Sequence, residues 1–342
     1  MINSGGTLVL NNGARITSNR KVISWGLNTV NSYGSGVYVD NNGIFIMNGG
    51  EISGNSNTAT ISGSSASRIT ANAYGSGVYV NNNGSFTMNG GKIINNTNSA
   101  TASNNAYGGS SSDESGGGVY INSNGNFTMN GGEISDNSSR TGGGVFVAGT
   151  LFMYNGKISS NISASSGGGV YVTSAFTMNN GEISGNKSAS SGGGVFVAGI
   201  FTMNNGKISD NNSSNSGGGV FIDKSYNSNY SFLMNGGEIS GNVSSSNGGG
   251  VCYGIQGQWS ANDGFIFTKT GGIIYGYVSD NNNSNVVKDN AGIVLQNKGH
   301  AIHVNSSNTI YIMGKDTTSG VNENLTFNGT VDPPLWSREW DY

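Results

Sequence analysis

The chain copies itself. The segment GGGVFVAGTLFMYNGKISSN, residues 142–161, is followed 25 residues later by GGGVYVTSAFTMNNGEISGN, residues 167–186, with nearly every apolar residue in register. A G-x-G-V-[YFC]-[VIY] segment recurs with its valine at Val37, Val78, Val119, Val145, Val170, Val195, Val220 and Val251, at steps of 41, 41, 26, 25, 25, 25 and 31 residues. A unit of this length cannot bury an apolar face alone and must stack on its neighbours, which restricts the chain to repeat architectures.

The pattern inside one repeat selects among them. Three short apolar stretches occur: V-[YF]-V, then F-x-M as in Phe127–Met129, then [EK]-I-S as in Glu182–Ser184. Each alternates with period 2, none sustains a helical stripe, and Asn-Gly, Gly-Gly and Ser-rich turns separate them. Three short strands per 25-residue turn without helices predict an all-β, single-stranded parallel β-helix whose coils stack at about 4.8 Å. A leucine-rich repeat would need a Leu-x-x-Leu-x-Leu framework, and a propeller needs blades of about 40 residues with antiparallel strands. The expectation is one elongated domain over residues 1–342 of about nine coils, regular over about 5–253, with degenerate coils and a cap or tail over about 254–342. In that tail, GHAIHV reads as a last V-x-V strand with His303 in the aromatic slot, and NTIYIM as a last F-x-M strand.

The columns that stacking creates assign roles. The Phe and Met of F-x-M point inward, with the residue between them outward; seven of the nine Met fall in this column and are core. In V-[YF]-V the valines point inward, so Tyr38, Tyr79, Tyr120, Phe146, Tyr171, Phe196 and Phe221 form an outward stripe, a candidate binding face for sugar rings or a partner. The asparagines Asn19, Asn55, Asn96, Asn137, Asn161, Asn186, Asn211 and Asn242 fall at one corner and read as a structural amide ladder. The residue before each Ile of the third strand alternates in sign without exception: Arg15, Glu51, Lys92, Glu133, Lys157, Glu182, Lys207, Glu238. Stacked identical charges would repel along the whole column, so alternation reads as a structural charge ladder. Three long insertions, after Asn19, Asn55 and Asn96, leave from one corner and gather Trp25, Tyr33, Arg68, Tyr74 and Tyr107 into a candidate binding platform; the alternative is a flexible Ser/Asn-rich decoration. The Gly-rich run before each Val reads as a tight turn needing positive φ rather than a phosphate cradle.

Composition narrows the function. Only 10% of residues are charged and the net charge is −3, with no basic stripe, which excludes a nucleic-acid binder. No apolar run approaches the roughly 20 residues needed to span a bilayer. The single cysteine, Cys252, has no disulfide partner in the chain and reads as a buried thiol. Nothing in the spacing indicates a metal or cofactor. A polysaccharide lyase or hydrolase would need paired acid and base groups, and the candidates are Asp113 and Glu114 in an insertion, with His300 and His303 flanking a late strand.

The GGGVYV…FTMNGGEISGN repeat resembles bacterial surface proteins with pectin-lyase-like right-handed β-helices, of the polymorphic outer-membrane and adhesin type. The resemblance covers residues 5–242 well. It implies a right-handed coil, export, and a surface or adhesive role. The sequence-based expectation is therefore a non-catalytic extracellular or cell-surface module whose partner is a glycan, a protein surface or a second copy, with a polysaccharide-degrading enzyme built on the insertions as the rival reading.

Overall fold

A computed structural model of the protein describes residues 1–24, 28–63, 67–104, 109–223, 231–254, 266–276, 282–295, 302–304, 310–311, 325–326, 330–331 and 339–340. Every regular element among them is a β-strand. Among the described residues no helix is long and apolar enough to cross a membrane. Strands one repeat apart are neighbours in long parallel sheets. By packing, the chain divides into two compact units: Met1–Leu151 with Gly156–Ala164, and Phe152–Asn155 with Ser165–Tyr342.

In the first unit each column keeps strict register. Phe45 pairs with Phe86 and Phe86 with Phe127. Val37, Val78, Val119 and Val145 follow one another, as do Ile16, Ile52, Ile93, Ile134 and Ile158. The second unit repeats the scheme with Phe176, Phe201, Phe232 and Phe267, and with Ile183, Ile208, Ile239 and Ile274. The inward Phe, Met, Val and Ile of the regular repeats are buried. The Phe rings stack at 4.5 to 4.8 Å in the first unit and 4.8 to 5.0 Å in the second. Each such side chain is worth about 1.5–3 kcal/mol of burial, and identical residues in register leave no void between layers.

A regular repeat contributes four strands, one more than the apolar pattern predicts. The repeat of Val119 shows them as Val119–Ile121, Asn126–Met129, Glu133–Ser135 and Ser138–Ser139. The fourth follows the ladder Asn and in short repeats holds only two residues, mostly serine, so no alternation announces it. Before it the backbone turns sharply. Ser18, Asn95, Asp136, Ser160 and Asp210 all sit at φ between 56° and 59° immediately ahead of a ladder Asn, where other repeats have Gly. The Gly triplet serves two ends. Gly116, the first of its triplet, has φ 65°, as a tight turn requires. Gly118, the third, is there for space: a Cβ would lie 2.7 Å from the Gly144 carbonyl oxygen and 3.0 Å from Asn137 Nδ2.

The described limbs of the three long insertions are strands. Their outgoing limbs, Arg20–Ile23, Ser56–Gly63 and Thr97–Asn104, extend the fourth-strand column. Their returning limbs, Thr29–Tyr33, Ile69–Tyr74 and Ser110–Ser115, form a separate three-stranded parallel sheet. Between the two lies a small core of Val30, Ala59, Ile61, Ile69, Ala71, Ala73 and Ala100. Each insertion alone has too few apolar atoms to fold; three in register share one core.

The C-terminal end departs from the sequence reading at one strand. Ile302–Val304 continues the V-x-V column, with His303 opposite Cys252. Ile310–Tyr311, read as a last F-x-M strand, instead pairs antiparallel with Thr330–Val331. The F-x-M column ends on the antiparallel strand Leu325–Thr326, and the V-x-V column on Glu339–Trp340. The Gly-rich turns that fix parallel register stop before this region, so short apolar pieces pair locally.

Candidate functional site

The aromatic stripe and the insertion platform form one cluster in the first unit. Tyr38, Tyr79, Tyr120 and Phe146 stack one per repeat at 5.3, 5.2 and 5.0 Å, with their rings within 6° of parallel. Tyr33 and Tyr74 come from the returning limbs of the insertions and stack on each other at 5.8 Å. Tyr33 lies 4.8 Å from Tyr79, and Tyr74 lies 5.0 Å from Tyr120. The insertion sheet therefore covers much of the stripe, and Tyr79 is only 5% exposed. In the second unit Tyr171, Phe196 and Phe221 stack at 4.6 and 5.3 Å, and Phe196 and Phe221 are 2% and 3% exposed in a cluster with Cys252. The ring faces are spent on one another, leaving little for a ligand. Arg68 is exposed ahead of Ile69. Trp25 and Tyr107 lie outside the described residues.

Polar groups beside this cluster are each engaged separately. Asp113 accepts from the Tyr74 hydroxyl and from the Ser115 hydroxyl, both at 3.2 Å. Burial raises the Tyr74 hydroxyl pKa above its ordinary value, and the Asp113 carboxylate adds to the shift. Burial likewise pushes Tyr120 up to about 12. Glu114 turns to the other face of the same strand, as strand geometry requires of adjacent residues, and accepts from the Ala100 N–H at 2.8 Å. Burial raises its carboxyl pKa, opposed by that hydrogen bond. Asp113 and Glu114 thus do not converge on a common point. His300 lies outside the described residues, and only the backbone of His303 is described. Burial pushes the Cys252 thiol up to about 12, so it is held protonated. Among the described residues no group of three or more His, Cys, Asp or Glu is arranged to hold a metal ion.

The corner asparagines form a hydrogen-bonded column. Oδ1 of Asn55 accepts from both the backbone N–H and Nδ2 of Asn19, and Oδ1 of Asn96 does the same for Asn55. Asn137 and Asn161 continue the column. From Asn55 to Asn161 each Nδ2 also donates to the carbonyl of the Ile one repeat back, as Asn96 does to Ile52 at 3.1 Å. In the second unit the column runs Asn186, Asn211, Asn242 and on to Asn285. Asn285 escapes a sequence reading because the F-x-M and Gly signals around it have decayed.

The charged column pairs in the same way. Arg15 meets Glu51 at 3.9 Å, Lys92 meets Glu133 at 3.2 Å, and Lys207 meets Glu238 at 3.0 Å. Burial alone would raise the Glu133 carboxyl, but the Ser135 hydroxyl and the Lys92 ammonium outweigh it and hold the carboxyl below its ordinary value. Glu238 is lowered against burial by Ser240 and Lys207.

Two further sets of asparagines add to these columns. Asn57 and Asn98 stand where short repeats have serine, and tie the insertions down: Asn57 donates to the Ser32 and Tyr74 carbonyls and accepts from the Ser32 hydroxyl. A second, exposed amide column follows the F-x-M strand: Asn11 after Leu10, then Asn48, Asn89 and Asn130 after Met in the first unit, and Asn179, Asn204 and Asn235 after Met in the second. The constant Asn after Met is its signal. The repeat of Met153 has Tyr154 there instead. No protein-family model, no curated protein and no solved structure matches this chain.

Proposed function

We propose that this chain is a non-catalytic module of the extracellular space or bacterial cell surface, built as a right-handed parallel β-helix of about nine coils like the pectin-lyase-like adhesin-type proteins its repeat resembles. Adhesion to a glycan or protein surface, or structural self-assembly, is its role. The observation that carries the reading is how the recurring polar side chains are used. Asparagines repeat coil after coil and bond to their own counterparts on both sides, and lysines pair with glutamates of a neighbouring coil. The two candidate acids of the rival polysaccharide-degrading enzyme, Asp113 and Glu114, hold separate structural partners on opposite strand faces. A surface module needs a long, rigid and chemically quiet face; a hydrolase needs two carboxyls aimed at one bond. Incubation with neutral and acidic polysaccharides, followed by chromatography of the products, tests the assignment. Intact chains are expected; turnover abolished by Asp113→Ala or Glu114→Ala would establish the enzyme instead.

A further inference from the structure

Most outward positions of the F-x-M column carry small or polar side chains, and one repeat breaks the rule twice. Phe152 stands where the next repeats have Thr177 and Thr202, and Tyr154 stands where they have Asn179 and Asn204. Phe152 lies in the strand Thr150–Met153 and Tyr154 follows directly after its end, two residues on. Their rings lie 6.4 Å apart and within 25° of parallel. Unlike the V-x-V stripe they are open, Phe152 at 36% and Tyr154 at 51% exposure.

The substitution also interrupts the exposed amide column. Asn204 Nδ2 donates to Asn179 Oδ1 at 2.8 Å, and Asn235 Nδ2 to Asn204 Oδ1 at 2.8 Å. By that direction Asn179 Nδ2 should donate to the preceding repeat, where Tyr154 has no amide to receive it. The Asn179 backbone N–H donates to the carbonyl of Met153, the residue between Phe152 and Tyr154, at 2.7 Å. The outward positions nearest to it on this face, at residues 175, 177, 179, 200, 202 and 204, are Ala, Thr, Asn, Ile, Thr and Asn, none charged.

We propose that Phe152 and Tyr154, with Thr177 and Asn179, form a subsite for a neutral oligosaccharide. The inference rests on the surface-module reading above and names its ligand class. The two exposed rings, within 25° of parallel, offer negative faces to the C–H faces of pyranose rings, and the open amide and the hydroxyl supply orienting hydrogen bonds to sugar hydroxyls. An uncharged face suits an uncharged ligand. A second protein copy fits less well: the pair exposes on the order of 200 Å² of ring-bearing surface, against about 800 Å² per partner in a stable protein interface.

The test uses cellohexaose, chitohexaose and maltohexaose as probes in isothermal titration and saturation-transfer NMR. At least one is expected to bind with a Kd of about 1 mM or tighter. The double variant F152S/Y154S should weaken that binding about tenfold or more while melting like the parent, since both rings are exposed. Phe152→Tyr keeps the ring face and should keep the affinity. Failure of all three probes to bind, or equal binding by parent and double variant, overturns the subsite. So does a double variant that loses only self-association in sedimentation, which would assign the pair to a second copy. Chromatography of the titrated samples separates the two claims. Shortened oligosaccharides overturn the non-catalytic reading, whereas intact ones bound equally by parent and double variant overturn the subsite alone.

Discussion

Asn96 shows how much one side chain can hold in this fold. It is fully buried, its Oδ1 accepts from the backbone N–H and Nδ2 of Asn55 at 3.0 and 2.8 Å, and its Nδ2 donates to the Ile52 carbonyl and to Asn137 Oδ1. Only an amide offers acceptor and donors together at this spacing. Asn98, two residues on, lacks such closure: its Oδ1 is buried with no partner. Asn96→Ala orphans two donors on Asn55 and the Ile52 carbonyl, each costing about 1–3 kcal/mol. The expected loss is at least about 3 kcal/mol in denaturant unfolding. Asn19→Ala, at the exposed end of the same column, should cost under about 1 kcal/mol because water replaces what is lost. Asn96→Asp keeps the shape but turns an oxygen toward two acceptors. Its folded-state carboxyl pKa should therefore be raised, so the variant should be weakest at neutral pH and regain stability as pH falls through that pKa. An Asn96→Ala protein as stable as the parent would show that the ladder is only a consequence of stacking.

At the scale of one strand, the third-strand column tests whether sequence alternation is functional electrostatics. Lys92 is in register with Glu51 on one side and Glu133 on the other. Lys92→Glu places three carboxylates in succession at about 4.8 Å. Exposed pairs are worth about 0.2–1 kcal/mol each, and here attraction on two sides becomes repulsion, so a loss of about 1–2 kcal/mol at low salt is expected. Salt near 1 M, where the Debye length is about 3 Å, should recover most of it. The parent carries a matching acid signature. Glu133 and Glu238 titrate below their ordinary value when folded. Their stabilisation is present above the unfolded carboxyl pKa and is lost as pH falls through the folded one. Glu133→Gln should flatten that acid limb in a melting series; an unchanged limb would remove the column from the stability account. The same scale shows what a sequence can reveal. Strands built on alternating Val, Phe, Met and Ile are legible because period 2 survives in a few residues. Ser138–Ser139 and its equivalents are not, since two residues carry no period. The insertion strands were equally hidden: Ser, Thr, Ala and Asn read as loop, and become strands only because three copies align to share a core.

Across the whole molecule each repeat is stabilised by its neighbours, so stability should be graded rather than uniform. The candidate site was illegible for the converse reason. A repeat teaches the reader what is constant, and the aromatic columns that recur most faithfully proved to be self-stacked, whereas Phe152 and Tyr154 are visible only as departures from a rule. The grading can be measured. Among the described residues strand Thr7–Leu10 pairs with one strand, Ile44–Met47, which also pairs with Ser85–Met88. Leu8 and Ile16 are half-buried in the first repeat, while Phe45, Ile52, Phe86 and Ile93 in the next two are fully buried. Opening the first repeat exposes less apolar surface and breaks one interface, whereas opening the third breaks two. Amide hydrogen exchange followed by mass spectrometry should therefore show protection rising from residues 7–10 through 44–47 to 85–88, with the first segment exchanging about tenfold or more faster than the third. Asn96→Ala should lower protection on both sides of its own repeat, at residues 52–55 and 134–137, because its bonds reach both neighbours. If all three strands instead exchange at one rate, the first unit opens only as a whole, and its repeats are coupled more strongly than nearest-neighbour contacts allow.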